Sequence, residues 1–210
     1  MSLAVLRAEN LSCERNDQLL FNKLDFEITK GSLVRLVGPN GAGKTTLLKI
    51  LAGLFRSYTG QVFWKGQSIL SDTQDYHTNV LYIGHKPAIK LSLSPFENLQ
   101  FLCSLESNQP KDKLLKALQA VGLSGYEHVA SAHLSAGQLR RVALARLYLS
   151  NANIWLLDEA FTAIDLESTK ALEKFLVAKA GEGKTIVLTS HHELSVPEVH
   201  RLTLQEGLNV

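Results

Sequence analysis

Apolar residues recur along this chain in two rhythms. Val5, Arg7, Glu9 and Leu11 alternate with apolar or small neighbours, and Phe21 to Ile28 alternates similarly, so residues 3 to 30 read as strands. After a turn at Lys30-Gly31, the apolar run Leu33-Val34-Arg35-Leu36-Val37 reads as a buried strand. Leu47, Leu48, Ile50, Leu51 and Leu54 then recur at helical spacing. Gln61 to Trp64, Lys65-Gly66 and Gln67 to Leu70 predict a hairpin, and Val80 to Ile83 another short strand ending at Gly84-His85-Lys86-Pro87. Ser94, Pro95 and Glu97 mark a helix start as N-cap, N1 and N3. From there to about Ala132 the pattern is helical (Leu99, Leu102, Leu105, Leu114, Leu115, Leu118, Val121), with Gly122 and Gly125 punctuating its end.

The second half alternates more regularly. Leu134-Ser135-Ala136-Gly137-Gln138 precedes a helix carrying Leu139, Val142, Ala143, Arg146 and Leu149. Ile154 to Leu157 is an apolar strand ending in Asp158 and Glu159, a helix runs from about Leu166 to Ala180, and the strand Thr185 to Thr189 ends at Ser190-His191-His192. Strands alternating with helices imply an α/β fold with a mainly parallel sheet and its chemistry at the strands' C-terminal ends. The expected division is a small antiparallel β subdomain and a core over about 1–84 and 151–210, with an inserted helical subdomain over about 92–150.

Composition narrows the class. The 210 residues carry a formal charge of +2, which gives no bias toward nucleic acid or anionic lipid. No apolar stretch approaches membrane-spanning length, and Met1 to Arg7 lacks the basic-then-apolar pattern of a signal peptide. Cys13 and Cys103 are far apart and lack metal-ligand spacing, which suggests reduced thiols. There is no C-x-x-C-H, so the chain is not itself a c-type cytochrome. A soluble cytosolic protein is expected.

Between the Leu33–Val37 strand and the following helix lies Gly38-Pro39-Asn40-Gly41-Ala42-Gly43-Lys44-Thr45-Thr46, which fits G-x-x-x-x-G-K-[ST]. Glycines at 38, 41 and 43 let successive N–H groups turn inward on a polyphosphate, and the helix starting near Gly43 adds its positive end. Lys44 can reach the β- and γ-phosphates, and the Thr45 hydroxyl can ligate Mg²⁺. A bare glycine turn is the alternative. The four fixed positions arise by chance in roughly one chain of this length in a hundred, and the flanking strand and helix make chance a poor account. Asp158 can hold Mg²⁺ directly or through water, and Glu159 can polarise the water that attacks the γ-phosphate.

In this order, the phosphate loop, the Leu134–Gln138 signature, the Asp158–Glu159 strand and His191 resemble an ABC-type ATPase over nearly the whole chain. That resemblance implies a P-loop NTPase fold with a RecA-like core, ATP as ligand, and a head-to-tail homodimer with two ATP molecules at the seam. Ser135 and Gly137, with neighbouring Gln138, would bind the γ-phosphate held by the other copy. Thr162-Ala163-Ile164-Asp165 resembles the loop that crosses the seam. His191 falls at the switch position, contacting the γ-phosphate and helping to hold Glu159, with His192 as the register alternative. Where the family commonly has a Gln that touches Mg²⁺ and senses the transporter partner, this chain has His85. Arg15 aligns with the aromatic that stacks on adenine, and a guanidinium plane can stack on a base.

Leu81 to Lys90 with Glu97-Asn98-Leu99, the Ala at the third signature place and Phe161 to Asp165 resemble the CcmA group, ATP-binding subunits of the haem exporter of cytochrome c biogenesis. This implies a peripheral ATPase on the cytoplasmic face of the bacterial inner membrane, docked through about His85 to Asn98 on a CcmB-like integral subunit. CcmC and the haem chaperone CcmE would be further partners, with no nucleic acid bound and no insertion into the membrane. ATP turnover would drive haem delivery or release of haem-loaded chaperone. None of His77, His128, His133 and His200 reads as a haem ligand. The alternatives are export of another substrate, a soluble ABC ATPase, and a module that senses nucleotide without hydrolysis. Intact Lys44, Asp158, Glu159 and His191 argue against the last.

Overall fold

The computed structural model describes residues 4–104, 108–191, 193–194 and 199–204, so Leu105 and His192 of the sequence reading lie outside the described residues. It divides into two compact units: Met1–Tyr82, Ala152–Ala160 and Glu173–Val210 form the first, and Ile83–Asn151 with Phe161–Leu172 the second.

In the first unit, β1 (Ala4–Arg15) and β2 (Gln18–Thr29) pair antiparallel. Asn16 and Asp17 join them with φ of 52° and 60°, two successive left-handed residues of the kind that fit a tight hairpin to twisted strands. The turn leaves Arg15 at the hairpin tip. β4 (Thr59–Trp64) pairs with β1, and β5 (Gln67–Ser68) completes the sheet β2-β1-β4-β5. β5 is shorter than the Gln67 to Leu70 run predicted. Ser68 turns the chain, its hydroxyl accepting from Leu70 N–H and its carbonyl from Ser71 N–H, and Leu70 is exposed.

The second sheet runs β6-β7-β8-β3-β9, built from β6 (Val80–Ile83), β7 (Ile154–Leu157), β8 (Thr185–Thr189), β3 (Leu33–Val37) and β9 (Val199–Thr203). The pairs β7–β8, β8–β3 and β3–β9 are parallel. Every residue of β7 and β8 is buried, which is why both read as unbroken apolar runs rather than alternations. The sequence does not announce β9, whose apolar residues are only Val199 and Leu202. An edge strand tolerates such polarity because one side stays solvated.

Helix α1 (Lys44–Leu51) buries Leu47, Leu48, Ile50 and Leu51 completely, in one core with Leu36, Ile154, Leu156 and Val187. A short helix, α2 (Thr73–Thr78), was not legible because only Tyr76 of its six residues is buried. It starts at Asp72, whose carboxylate accepts from Asp75 N–H at 3.0 Å. The Tyr76 ring stands 5.6 Å from Trp64, and its hydroxyl donates to the Leu51 carbonyl at the end of α1.

The second unit holds α3 (Pro95–Ser104), α4 (Lys111–Ala120) and α5 (Ala136–Ala145), packed through Leu99, Leu114, Leu118, Leu123, Val142 and Ala145. The predicted capping at Ser94 is present in both directions: Glu97 N–H donates to Ser94 Oγ at 3.2 Å, and Ser94 N–H to Glu97 Oε2 at 2.8 Å. The helical pattern read as far as Ala132 stops at Ala120. Gly122 and Gly125 adopt φ of 72° and 85° and break it, leaving one 3-10 turn at Ser131–His133. Asn98, buried, clamps the Lys90 backbone, Nδ2 donating to its carbonyl at 2.9 Å and Oδ1 accepting from its N–H at 2.8 Å. Helix α6 (Leu166–Gly181) begins in the residue range of the second unit and ends in that of the first.

Candidate active site

The loop from Gly38 to Gly43 joins β3 to α1. Gly43 caps the helix at φ 87°, and a Cβ there would lie 2.9 Å from Leu20 Cβ and 3.1 Å from the Phe21 ring. Both the left-handed backbone and the lack of room demand glycine. No acidic residue occupies the first turn of α1, so its positive end is left for an anion. Lys44 Nζ donates to the carbonyls of Gly38 and Pro39, each at 2.7 Å, so the ammonium lies over the loop it belongs to.

Across the cleft, β7 is followed directly by Asp158, which is 1% exposed. Asp158 Oδ1 accepts from Thr45 Oγ1 at 3.0 Å and from Thr189 Oγ1 at 2.9 Å. Glu159, at φ 52°, donates its N–H to Thr189 Oγ1 at 2.7 Å. His191 Nε2 stands 3.6 Å from Glu159 Oε1, too far for a hydrogen bond but close enough for a small motion to make one. Arg35, on β3, donates to the Ser190 carbonyl at 3.2 Å, tying the segment that carries His191 back to the phosphate-loop strand.

Part of the phosphate loop, the Asp158–Glu159 pair and His191 border a cleft of about 340 Å³ within the first unit. Arg15, Asn16 and Gln18 line one part; Asn40, Gly41 and Gly43 to Thr46 the middle; Asp158, Glu159, Thr189, Ser190 and His191 the rest. The structure thus gathers Arg15, the loop residues, Asp158, Glu159 and His191 in one place. Sequence reasoning missed Thr189, Arg35, Asn16 and Gln18. Asn16 lies in the Asn16-Asp17 hairpin turn and Gln18 directly follows it, a local signal, whereas Thr189 and Arg35 act through register between distant strands.

Ser135, Gly137, Gln138 and His85 belong to the second unit and do not line this cleft. Ser135 caps α5 in a closed box with Gln138, which occupies the Gln138 side chain: Gln138 N–H to Ser135 Oγ at 3.2 Å, Ser135 N–H to Gln138 Oε1 at 2.9 Å. Gly137 lies so near the Thr162–Asp165 loop that a Cβ would be 2.3 Å from the Ala163 carbonyl oxygen. Asp165 in that loop pairs with Arg141. The Ser168 N–H and hydroxyl, together with Arg141, hold its carboxyl down at about 2. Buried Arg140 donates to the Gly84 carbonyl at 2.6 Å, shaping the loop before His85, whose side chain is exposed.

The family model described as "ABC transporter" matches residues 21–162, a span containing the phosphate loop, the signature and the Asp158–Glu159 pair. The chain belongs to the ABC transporter family. It is an ABC-type ATPase, with a P-loop NTPase fold and ATP as its nucleotide. Among curated relatives it is 46% identical to the Cytochrome c biogenesis ATP-binding export protein CcmA of Hahella chejuensis, over 95% of each chain. It is 44% identical to the CcmA of Aliivibrio fischeri, over 96% of this chain and all of that one. Among solved structures, a putative ABC transporter ATP-binding protein from Pyrococcus furiosus matches 95% of this chain and 96% of its own, with a TM-score of 0.82 at 28% identity. An ATP-binding subunit of an ABC transporter at 22% identity, covering 96% and 88% with a TM-score of 0.84, shares the fold. Among the described residues, no helix of this ABC ATPase is long and apolar enough to cross a membrane.

Proposed function

We propose that this ATPase powers a membrane export complex of cytochrome c maturation, serving haem export or release of a haem-loaded chaperone. The observation that carries the catalytic part is the Thr45–Asp158 hydrogen bond of 3.0 Å, which joins the phosphate loop to the carboxylate pair at the end of β7. The biogenesis role is supported by relatives named CcmA at 46% and 44% identity over nearly their whole length.

In this reading Lys44 leaves the Gly38 and Pro39 carbonyls for the β- and γ-phosphates, and the loop N–H groups with the α1 N-terminus hold the remaining phosphate charge. Arg15 stacks on the adenine. The Thr45 hydroxyl and the Asp158 carboxylate are hard oxygen donors and fit Mg²⁺, which takes one or two protein oxygens besides phosphate. The metal, when bound, offsets charge on the β- and γ-oxygens. Glu159 accepts a proton from the attacking water, and His191 orients Glu159 and the γ-phosphate. Ser135, Gly137 and Gln138 serve the nucleotide held by a second copy in a head-to-tail homodimer. The ATPase is peripheral to the cytoplasmic side of the inner membrane, with the stretch about His85 to Asn98 on a CcmB-like subunit and with CcmC and CcmE in the assembly.

The test is turnover of MgATP by the purified chain and by two variants. Glu159→Gln is expected to bind ATP, form a stable dimer and lose turnover, and Lys44→Ala to lose nucleotide affinity. Undiminished hydrolysis by Glu159→Gln removes Glu159 from its role. Isolation of the chain from membranes with an integral subunit unrelated to cytochrome c maturation overturns the biogenesis role alone.

A further inference from the structure

The path of residues 158 to 160 is unusual. Glu159 has φ 52°, a left-handed backbone that residues with side chains adopt only when their surroundings hold them there. One residue of the neighbouring strand restrains all three positions. In the β7–β8 register Leu157 pairs with Leu188, so the next step brings Thr189 beside Asp158. Thr189 is 2% exposed.

Its hydroxyl has one proton to give, and gives it to Asp158 Oδ1 at 2.9 Å, while accepting the Glu159 N–H at 2.7 Å. Its carbonyl accepts from Ala160 N–H at 3.3 Å. Three consecutive residues are thus bonded to this threonine. Asp158 Oδ1 also accepts from Thr45, so the oxygen is fixed between the phosphate loop and β8.

We propose that Thr189 is a positioning residue of the ATPase site: its hydroxyl aims Asp158 at the phosphate loop and holds Glu159 in the left-handed turn that presents its carboxylate to His191. This rests on the roles given above to Asp158 and Glu159. Valine has nearly the shape of threonine without the hydroxyl. Thr189→Val therefore removes the two side-chain bonds and leaves the packing, while Thr189→Ser keeps the hydroxyl.

The experiment measures kcat, KM for MgATP, the gain in affinity for a fluorescent ATP analogue on adding Mg²⁺, and the melting temperature, for wild type and both variants. A misplacement of about 1 Å in a catalytic constellation costs about 100-fold in rate. Thr189→Val should accordingly lose kcat by about 10- to 100-fold with KM within about twofold. Its Mg²⁺-dependent gain in analogue affinity should shrink, and Thr189→Ser should recover most of both. Should the valine variant not fold, Thr189→Ala repeats the comparison. A valine variant with wild-type kcat and Mg²⁺ response, or a serine variant equally impaired, overturns the assignment while wild-type turnover leaves the ATPase reading standing. A wild-type protein that binds MgATP without turning it over overturns that reading and this one together.

Discussion

Replacing Gly137 by alanine sets a local preference against a packing limit. Gly137 is the second residue of α5. On helix propensity alone, alanine there is worth about 1 kcal/mol in favour of the folded chain. The added Cβ, however, would stand 2.3 Å from the Ala163 carbonyl oxygen, 3.6 Å from its carbon and 3.9 Å from Ser135 Oγ. A carbon and an oxygen normally approach no closer than about 3.3 Å, so roughly 1 Å must be found. The obstacle is backbone and cannot rotate away. Asp165 is anchored by Ser168 and Arg141, so Thr162 to Ile164 must move. Overpacking costs about 1–3 kcal/mol, which leaves a net loss of about 0–2 kcal/mol after the propensity gain. For a protein of this size that lowers the melting temperature by at most about 8 °C. In the head-to-tail homodimer proposed above, Gly137 serves the nucleotide held by the second copy, and a misplacement of about 1 Å there can cost about 100-fold in rate. The expected signature is a modest shift in the melt with turnover down by about 100-fold, read by calorimetry and a coupled ATPase assay. A Gly137→Ala protein with wild-type turnover would refute the idea that this contact sets the loop.

Tyr76→Phe removes the hydroxyl donated to Leu51, one of the terminal α1 carbonyls that lack a partner within the helix. Burial pushes the Tyr76 pKa up, so the group is a protonated donor at every working pH. The variant should lose about 1–2 kcal/mol in urea unfolding; a change within about 0.3 kcal/mol would show that the bond contributes little. Asp165 has its carboxyl depressed from 3.8 to about 2, chiefly by the Ser168 N–H and hydroxyl, so its contribution is complete above about pH 4 and is lost as pH falls through 2. Wild type should therefore exceed Asp165→Asn in stability near neutrality, and the gap should close between pH 4 and 2. A pH-independent gap in paired unfolding curves would rule this linkage out.

The sequence reading and the structure part company where the deciding contact joins residues far apart along the chain. The phosphate loop, the capping at Ser94 and the signature were readable because each is local: a glycine pattern, an S-P-x-E run, a Ser three places before a Gln. β7 and β8 were readable because burial on both faces writes an unbroken apolar run. β9 was not, since an edge strand beside β3 needs few apolar residues, and α2 was not, since a single buried Tyr76 makes no period.

The same division runs through the site. Which residues are candidates for the chemistry is a matter of type and spacing, and Lys44, Thr45, Asp158, Glu159 and His191, all named from the sequence, line one cleft. How those residues are aimed depends on Thr189 lying one register step beyond Leu188, and on Arg35 reaching Ser190 across 155 positions of chain. Threonine in a strand and arginine among apolar neighbours are unremarkable as residue types. Their roles exist only once β7, β8 and β3 lie side by side. A substitution at either position would leave every motif of the family intact and still disturb Asp158, Glu159 or His191, so motif integrity alone is not a sufficient criterion for activity in this ATPase.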